Sequence, residues 1–321
     1  MFSLKEAIVV GGIVTASVAT VAAANAQQAY PEREIVLVVP YPAGGGVDSI
    51  ARPIAEELQK RLGKPVVIEN RASAGAVVGT EFVKNADPDG YTLLMASTSF
   101  VTGPILSGEG GYDPNVDFVK VGMMVNSPVV MLASKASGIA TIADVVERGK
   151  SGKKLRYTSA GRFSGPALAA QSFENLVGIQ MREVPYGSGS AIATAILSGE
   201  TDVHFSSVPP VIGQVKADAV TTLGVASEKR LAALPDTPTM IEQGYKYAFG
   251  NPYGFFAPAG TPSDVVAVLE KAMAEVAENP DYRAKVEASG SEVKYMSSAA
   301  FTTEIEHQVE FWTEYKKQNA H

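Results

Sequence analysis

Three residues with the chemistry of a hydrolytic centre, Asp202, His204 and Ser206, alternate along one stretch of the chain. Alternation places them on one face of a strand, and a carboxylate, an imidazole and a hydroxyl can together form an acyl-transfer triad. The other two histidines are His307, on the polar side of a helical pattern, and the C-terminal His321. A general base would therefore have to be His204. Because strands buried between helices more often pack or hydrogen-bond such side chains, we predict a structural role for His204 and no enzymatic activity.

Other catalytic and nucleotide-binding motifs are missing from the sequence. There is no G-x-S-x-G elbow, no H-E-x-x-H pair, no histidine and carboxylate cluster with metal spacing, and no cysteine. The stretch "VPYGSGSAIATAI" approaches a dinucleotide fingerprint, but Ile192 occupies the position of the third glycine. The stretch "PAGGGVDSI" lacks the lysine of a phosphate loop. We therefore predict neither a cofactor nor a metal.

Four small-residue turns stand where a strand gives way to a helix, and each can offer backbone N–H groups to an anion. Glycine lets a ligand approach the backbone, and the helix dipole favours negative charge at the helix N-terminus. Any one glycine can instead serve loop geometry alone, but four such turns at the carboxyl ends of strands favour a shared site. The turns are residues 42–46, 72–75, 159–164 and 187–190.

Three charged residues near these turns each allow two interpretations. Asp48 can cap the helix that begins beside it or line the pocket. Asp202 can pair within the fold, or accept a hydrogen bond from a ligand or its water. Arg162 is the one cation within these turns, and it can clamp a carboxylate through two hydrogen bonds or face solvent.

Apolar strands alternate with amphipathic helices through most of the chain. In the first helix, Ile50, Ile54 and Leu58 recur at a spacing of four residues. Alternation of this kind predicts an α/β fold with parallel strands and helices on both faces of the sheet. Thr141, with Asp144 three residues on, predicts one helix start, and Pro238 predicts another.

The pattern divides into two α/β units of similar size, followed by helices and a short strand. This order predicts two lobes, with the tail returning to the first lobe and crossovers near Val129 and Tyr253. A cleft between two lobes is a common place for a small-molecule site. The predicted boundaries are 27–128 plus 252–321 for the first lobe and 129–251 for the second.

The first 26 residues differ from the rest. They form an almost unbroken apolar stretch that ends in Ala24, Asn25 and Ala26, a small-x-small triplet typical of a secretory signal cleaved after Ala26. An uncleaved anchor remains an alternative, because the stretch approaches the roughly 20 residues that span a bilayer. The net charge of -7 argues against nucleic acid as a partner.

The sequence resembles the tripartite tricarboxylate transporter substrate-binding proteins, the Bug family, over essentially the whole chain after the signal. The resemblance rests on seven stretches in order: "VPYPAGGGVDSIAR", "VVIENRASAGAVVGTEFVKNADPDGYTLL", "YTSAGRFSG", "VPYGSGSA", "SGETDVHF", "LGVASEKRLAALPDTPTMIEQGY" and "GFFAPAGTP". It implies a type II-like, two-lobed periplasmic binding protein whose lobes, each a mixed, mainly parallel sheet flanked by helices, close over an organic anion. It further implies a monomer in the periplasm that delivers a carboxylate ligand to a membrane permease.

The family's ligand contacts, carried over to matching positions, imply a set of site residues. In the first lobe they are Tyr41, Pro42, Ala43, Gly44, Gly45, Asp48, Ser73, Ala74, Gly75, Ala76, Ser97 and Thr98. In the second lobe they are Ser159, Gly161, Arg162, Phe163, Ser164, Tyr186, Gly187, Ser188 and Asp202.

The sequence departs from the family pattern where specificity is expected. Arg162 and Phe163 replace smaller residues, Ala167 takes a position where the family often has histidine, and "RASAGAVVG" stands where "PGAGG" is usual. We expect Arg162 to meet a distal polar group and Phe163 to pack on the ligand body, which favours a dicarboxylate or an aromatic carboxylate. Two other functions stay open at this point: a ligand-sensing subunit for a membrane histidine kinase, and a secreted hydrolase or lyase that uses His204.

Overall fold

A computed structural model of the protein describes residues 30–108, 110–186 and 189–318. The predicted signal, residues 1–26, and two predicted site residues, Gly187 and Ser188, lie outside the described residues. The strands in the described part are β1 (Ile35–Val39), β2 (Val66–Asn70), β3 (Thr92–Ala96), β4 (Phe118–Ala133), β5 (Arg156–Ser159), β6 (Arg182–Pro185), β7 (Val203–Ser207), β8 (Thr221–Val225), β9 (Gly250–Pro258) and β10 (Glu292–Met296).

The helices follow the strands in the alternating order that the sequence predicts. They are α1 (Gly46–Leu62), α2 (Val77–Lys84), α3 (Ser99–Thr102), α4 (Ile142–Lys150), α5 (Gly165–Val177), α6 (Gly189–Ser198), α7 (Ile212–Lys216), α8 (Ser263–Glu278), α9 (Pro280–Ala288) and α10 (Ser298–Gln318). No helix within the described ranges is long and apolar enough to cross a membrane.

The strands lie in the order β2-β1-β3-β9-β4-β7-β5-β6, and β8 and β10 also pair with β4. Pairing is parallel where helices connect the strands, which holds for β1 with β2 and β3 and for β5 with β6 and β7. Pairing is antiparallel along β4 and β9. The predicted α/β class with a mixed sheet and flanking helices is therefore confirmed.

Strand β4 belongs to both halves of the sheet. It pairs with β9 from Phe118 opposite Pro258 to Pro128 opposite Gly250, and with β7 from Val129 onward. We call β1, β2, β3, β9, β10 and residues 118–128 the first sheet region, and β5 to β8 with residues 129–133 the second sheet region. Only the second part of β4 was expected from the sequence. The strand is longer because β9 and β10 also pair with its first part.

Both faces of each sheet region are covered. In β1, Leu37 and Val39 pack in one buried cluster with α1 and α8, while Val38 packs on the opposite face with α3 and α10. In the second region, Met131 packs with α4 and α5, and Leu132 packs with α6 on the other face. Burial on both faces explains why these strands are apolar at nearly every position.

Of the two helix starts predicted from the sequence, the one at Thr141 is correct and the one at Pro238 is wrong. Thr141 and Asp144 form the expected capping box at the start of α4. After Pro238, however, the chain makes only a turn. Thr239 and Glu242 exchange capping hydrogen bonds of 2.7 and 3.0 Å, which is the local signal for a helix start. The helix does not continue because Gly244 adopts φ +90 within one turn.

Candidate functional site

The loop that follows β1 wraps around one buried carboxylate, that of Asp48, which is 1% exposed. Gly44 donates its N–H to Oδ2 at 2.8 Å, and Asn70 donates to Oδ1 at 3.0 Å. Arg52 donates Nε to Oδ2 at 2.8 Å and Nη2 to Oδ1 at 3.0 Å. Burial alone would raise the pKa of Asp48, but these hydrogen bonds outweigh it and hold the pKa below its ordinary value. The carboxylate is thus engaged inside the fold, where it shapes the turn.

Part of the same loop is exposed to solvent. Pro42, Ala43 and Gly44 are exposed, and Gly44 adopts φ +76, which favours glycine. The Gly45 N–H donates to Pro42 O at 3.1 Å and closes the turn. Helix α1 begins at Gly46, and the first amides of a helix have no acceptor within the helix. The first amides of α1 are therefore N–H donors at the positive end of a 17-residue helix.

The second predicted turn joins β2 to α2. Gly75 and Ala76 both adopt left-handed backbone angles, with φ +65 and φ +64. Ser73 accepts a hydrogen bond from Val78 N at 2.9 Å, which anchors the start of α2. Ala74 lies in the short 3-10 segment of this turn. A Cβ atom added to Gly103 would lie 3.6 Å from Gly75 O, so this turn lies beside the segment that follows α3.

The turn after β3 is linked to the first turn. The Tyr41 hydroxyl lies 3.1 Å from Ser97 Oγ and also hydrogen-bonds Ser99 Oγ. Burial raises the pKa of the Tyr41 phenol, so the hydroxyl is neutral and can donate. Thr98 instead directs its hydroxyl to Asn251 Oδ1 at 3.1 Å. The carboxyl ends of β1 and β3 therefore form one hydrogen-bonded unit.

In the second sheet region, the loop after β5 leads into α5. Ser159 accepts the Gly161 N–H at 3.1 Å and donates to Glu183 Oε1 at 2.5 Å. Tyr186, just past β6, donates its N–H to Ser159 O at 2.9 Å. Ser164 is the N-cap of α5 and accepts the Ala167 N–H at 3.4 Å. The structure therefore places Ser159, Gly161, Ser164 and Tyr186 close together at the carboxyl ends of β5 and β6.

Arg162 and Phe163, the two unusual residues, lie in this loop. The Arg162 side chain is exposed, and none of the described carboxylates forms an ion pair with it within 4.0 Å. Phe163 is half-buried, and its carbonyl accepts a hydrogen bond from Thr102 Oγ1 at 2.9 Å. This bond joins the α5 loop of the second region to α3 of the first region.

Asp202 lies outside the cluster, contrary to the prediction that it contacts ligand. Its carboxylate accepts three hydrogen bonds of 2.8 to 3.2 Å from Arg156, the first residue of β5. The candidate turn follows Ser159, the last residue of the same strand, roughly 10 Å away at the usual rise per residue. Of the two roles considered for Asp202, the structure assigns it pairing within the fold.

His204 is a buried structural residue, 3% exposed, with a hydrogen bond between Nδ1 and Thr158 Oγ1. Burial lowers its pKa to about 4, so the imidazole is neutral at pH 7. Ser206 donates to the carbonyl of Ser207 at 2.8 Å rather than to His204. The three alternating residues therefore do not form a catalytic triad.

Four residues that sequence reasoning missed connect the two sheet regions. Asn251 donates Nδ2 to Ser207 Oγ at 2.8 Å, and Tyr253 OH lies 3.2 Å from the same Oγ. Thr102 makes the bond to the Phe163 carbonyl described above. These residues stand in no recognisable sequence motif. Each contact joins positions more than 40 residues apart, so no local pattern indicates it.

The first residues of α1 and α5 lie against these connecting side chains. A Cβ atom on Gly46 would lie 3.8 Å from Tyr253 OH, and a Cβ atom on Gly165 would overlap Asn251 Oδ1. Both helix N-termini therefore approach the junction of the two sheet regions. Two helix N-termini suit an anion, and the hydroxyls and the amide of the connecting side chains are neutral.

Two sheet regions joined by β4, with strand ends and helix N-termini at the junction, define a two-lobed periplasmic binding protein. Solved structures of this class superpose on the chain. The periplasmic binding protein BugD is 31% identical, with a TM-score of 0.82 over 90% of this chain and 98% of its own. An R. palustris protein with adipate is 25% identical, with a TM-score of 0.84 over 90% and 97%. MatC from Rhodopseudomonas palustris with bound malate is 26% identical, with a TM-score of 0.81 over 89% and 100%.

Within this class, residues 50–319 match the tripartite tricarboxylate transporter family receptor, and the chain belongs to that family. The family resemblance read from the seven sequence stretches is thus confirmed. The family consists of solute-binding receptors, so the expectation that the protein is not an enzyme is also confirmed.

Proposed function

We propose that this receptor captures an organic anion with at least one carboxylate in the cleft between its lobes, closes over it, and passes it to a tripartite tricarboxylate-type permease. One observation carries the proposal. The loop after β1 leads into the N-terminus of α1, while the carboxylate beside it, Asp48, is fully engaged by Arg52, Asn70 and Gly44. An anion arriving at the start of α1 would meet N–H donors and no free negative charge.

The second lobe would complete the site with the loop from Ser159 to Ser164. This loop ends in the N-terminus of α5, a helix of 13 residues, so a second set of donors faces the same junction. Desolvating a carboxylate is costly unless hydrogen bonds replace the lost water. Donors from both lobes would supply these bonds only when the lobes are together, which makes closure a consequence of binding.

The hinge of this closure is proposed at the sheet junction. Pairing of β4 with β9 ends at Pro128 opposite Gly250, and pairing with β7 begins at Val129. These positions support the predicted lobes, 27–128 plus 252–321 and 129–251. The chain crosses between the lobes along β4 and again just before β9, so small changes of backbone angle near Pro128 and Gly250 would rotate one lobe against the other.

The ligand class is proposed to be a dicarboxylate or an aromatic carboxylate. Two similar receptors were solved with the dicarboxylates malate and adipate. Arg162 is exposed beside the α5 loop and could bind a second carboxylate with a bidentate pair of hydrogen bonds. Phe163, half-buried in the same loop, offers an apolar surface for the body of the ligand.

A thermal-shift screen tests the proposed function. Mono-, di- and tricarboxylates, including malate, adipate and benzoate, would be added to the purified protein, with 1,6-diaminohexane as a cationic control. A ligand at 100 times its Kd stabilises a protein by about 2.7 kcal/mol, which raises the Tm measurably. We expect at least one carboxylate to raise the Tm and the diamine to have no effect. A screen in which no carboxylate stabilises the protein would contradict the proposal.

A further inference from the structure

Asn251 stands at the junction of the two sheet regions, and its side-chain amide is bonded on both sides. The residue is 3% exposed. It accepts a hydrogen bond from Thr98 Oγ1 at 3.1 Å and donates Nδ2 to Ser207 Oγ at 2.8 Å. Thr98 follows β3 in the first region and Ser207 ends β7 in the second region. One planar group therefore joins the carboxyl ends of strands from both regions.

The same amide determines how closely α5 can approach. Gly165 is the first residue of α5, and any Cβ atom there would overlap Asn251 Oδ1. The backbone of Gly165 has no left-handed angle, so the absence of a side chain reflects this contact rather than a turn. The position of the Asn251 amide therefore fixes where α5, and the loop of Arg162 and Phe163 before it, can lie.

A second hydrogen bond on the first-region side leads back to this loop. Thr102 Oγ1 lies 3.2 Å from Thr98 O and 2.9 Å from Phe163 O, so its single proton is shared between these two carbonyls. Asn251 thus contacts the loop and α5 along two routes, directly through Gly165 and indirectly through Thr98 and Thr102.

We propose that Asn251 is a positioning residue for the ligand site, which sets the spacing between the donors of the first lobe and those of α5. This inference rests on the proposed function. It names the residue that holds the donors of the first lobe and those of α5 at the distance at which both contact one ligand. Asn251 pairs with Ser127 in the first region, so it would move with that lobe. Lobe separation would therefore break its bond to Ser207 and its contact with Gly165.

The first test needs no ligand. The chain has no native cysteine, so spin labels can be placed at Val116→Cys, 70% exposed in the first region, and Leu176→Cys, 47% exposed on α5. Double electron–electron resonance spectroscopy then measures the distance between the two spin labels, one on each lobe. We expect Asn251→Ala to shift or broaden the distance distribution relative to the parent. Ser206→Ala, which removes a neighbouring buried hydroxyl not bonded to Asn251, should leave it unchanged. A distribution unaffected by Asn251→Ala would overturn the inference.

The second test is a double-mutant cycle on binding, measured by calorimetry with the carboxylates malate and adipate. We expect Asn251→Ala and Gly165→Ala each to weaken binding about tenfold or more, which is roughly 1.4 kcal/mol. Because removing the amide also removes its overlap with the methyl group that Gly165→Ala introduces, the double variant should bind no worse than Asn251→Ala alone. Additive losses, or parental affinity in Asn251→Ala, would contradict the inference.

The two proposals fail in different ways. If the parent protein binds no carboxylate, the proposed function is wrong, while the distance measurement still decides the role of Asn251. If the parent binds and the cycle is additive, the proposed function stands and the positioning role does not. Should Asn251→Ala fail to fold, Ser207→Ala removes the acceptor of the same amide, and it should likewise shift or broaden the distance distribution and weaken binding.

Discussion

Arg52 holds the carboxylate of Asp48 with two parallel hydrogen bonds, Nε to Oδ2 at 2.8 Å and Nη2 to Oδ1 at 3.0 Å. The two residues lie one turn apart on α1, with Arg52 58% exposed and Asp48 buried. A carboxylate next to a proposed anion site would repel the ligand if it were free. Here its charge is balanced, and its remaining acceptor capacity holds Gly44 and Asn70 in place.

Replacing this carboxylate tests its structural role. We expect Asp48→Asn to lower the free energy of unfolding by about 1–3 kcal/mol, because Arg52 and the Gly44 amide lose a charged acceptor. Urea denaturation would measure the change. Arg61→Ala, which removes an exposed arginine of the same helix, is the control and should change stability by less than about 0.5 kcal/mol. Equal effects of the two substitutions would mean that Asp48 does not organise the turn.

The left-handed conformation of Gly44 gives a second prediction. A Cβ atom at Gly44 meets nothing within 4 Å, so the effect of Gly44→Ala comes from its φ of +76 alone. We expect a loss of stability of about 1 kcal/mol, together with weaker carboxylate binding. Gly213→Ala, in α7, also meets nothing within 4 Å but has an ordinary helical backbone, so it should be neutral or stabilising. Identical Tm values for the two variants would contradict this interpretation.

The loop before α5 gives a prediction about specificity. We expect Arg162→Ala to weaken binding of a dicarboxylate about tenfold and to leave a monocarboxylate of similar size nearly unaffected. Arg182→Ala is the matched control, because Arg182 is also an exposed arginine of the second region but begins β6, at the amino ends of the parallel strands rather than at their carboxyl ends. If calorimetry finds that Arg162→Ala and the parent bind the dicarboxylate with equal affinity, Arg162 does not bind the second carboxylate of the ligand.

His204 gives a prediction about pH. Its pKa is about 4 in the folded protein and about 6.5 when unfolded, so between these values the unfolded chain binds more protons. Stability is therefore full above pH 6.5 and falls as the pH drops toward 4, by up to about 3 kcal/mol. His204→Asn should remove this dependence, while the carboxylates titrate alike in both proteins. Parallel stability curves for the parent and variant from pH 7 to 5 would contradict the assignment.

The turns of the site could be predicted from the sequence because their signals are local. Glycine after an apolar strand and a polar residue at a helix start occur within a few residues of one another, as at Gly44 and Ser164. The incorrect prediction of a helix after Pro238 also came from a local signal. Thr239 and Glu242 give a local start signal, but the early left-handed Gly244 ends the turn.

The contacts that join the two halves could not be predicted in this way. Thr98, Ser207 and Asn251 meet only because β3 and β7 end, and β9 begins, at the same junction, and none carries a spacing or composition signal. The prediction that Asp202 contacts ligand was wrong for a similar reason. Its partner, Arg156, is 46 residues away, and only the parallel register of β5 and β7 shows that both lie at the edge remote from the candidate site.

Isothermal titration of the purified protein with malate and adipate, against 1,6-diaminohexane, tests the receptor function most directly. The dicarboxylates carry the charge that the glycine turns and helix N-termini should bind, whereas the diamine matches the chain length of adipate with the opposite charge. We predict saturable, one-site binding of at least one dicarboxylate and no heat of binding with the diamine. Saturable binding of the diamine, with no binding of either dicarboxylate, would contradict an anion receptor.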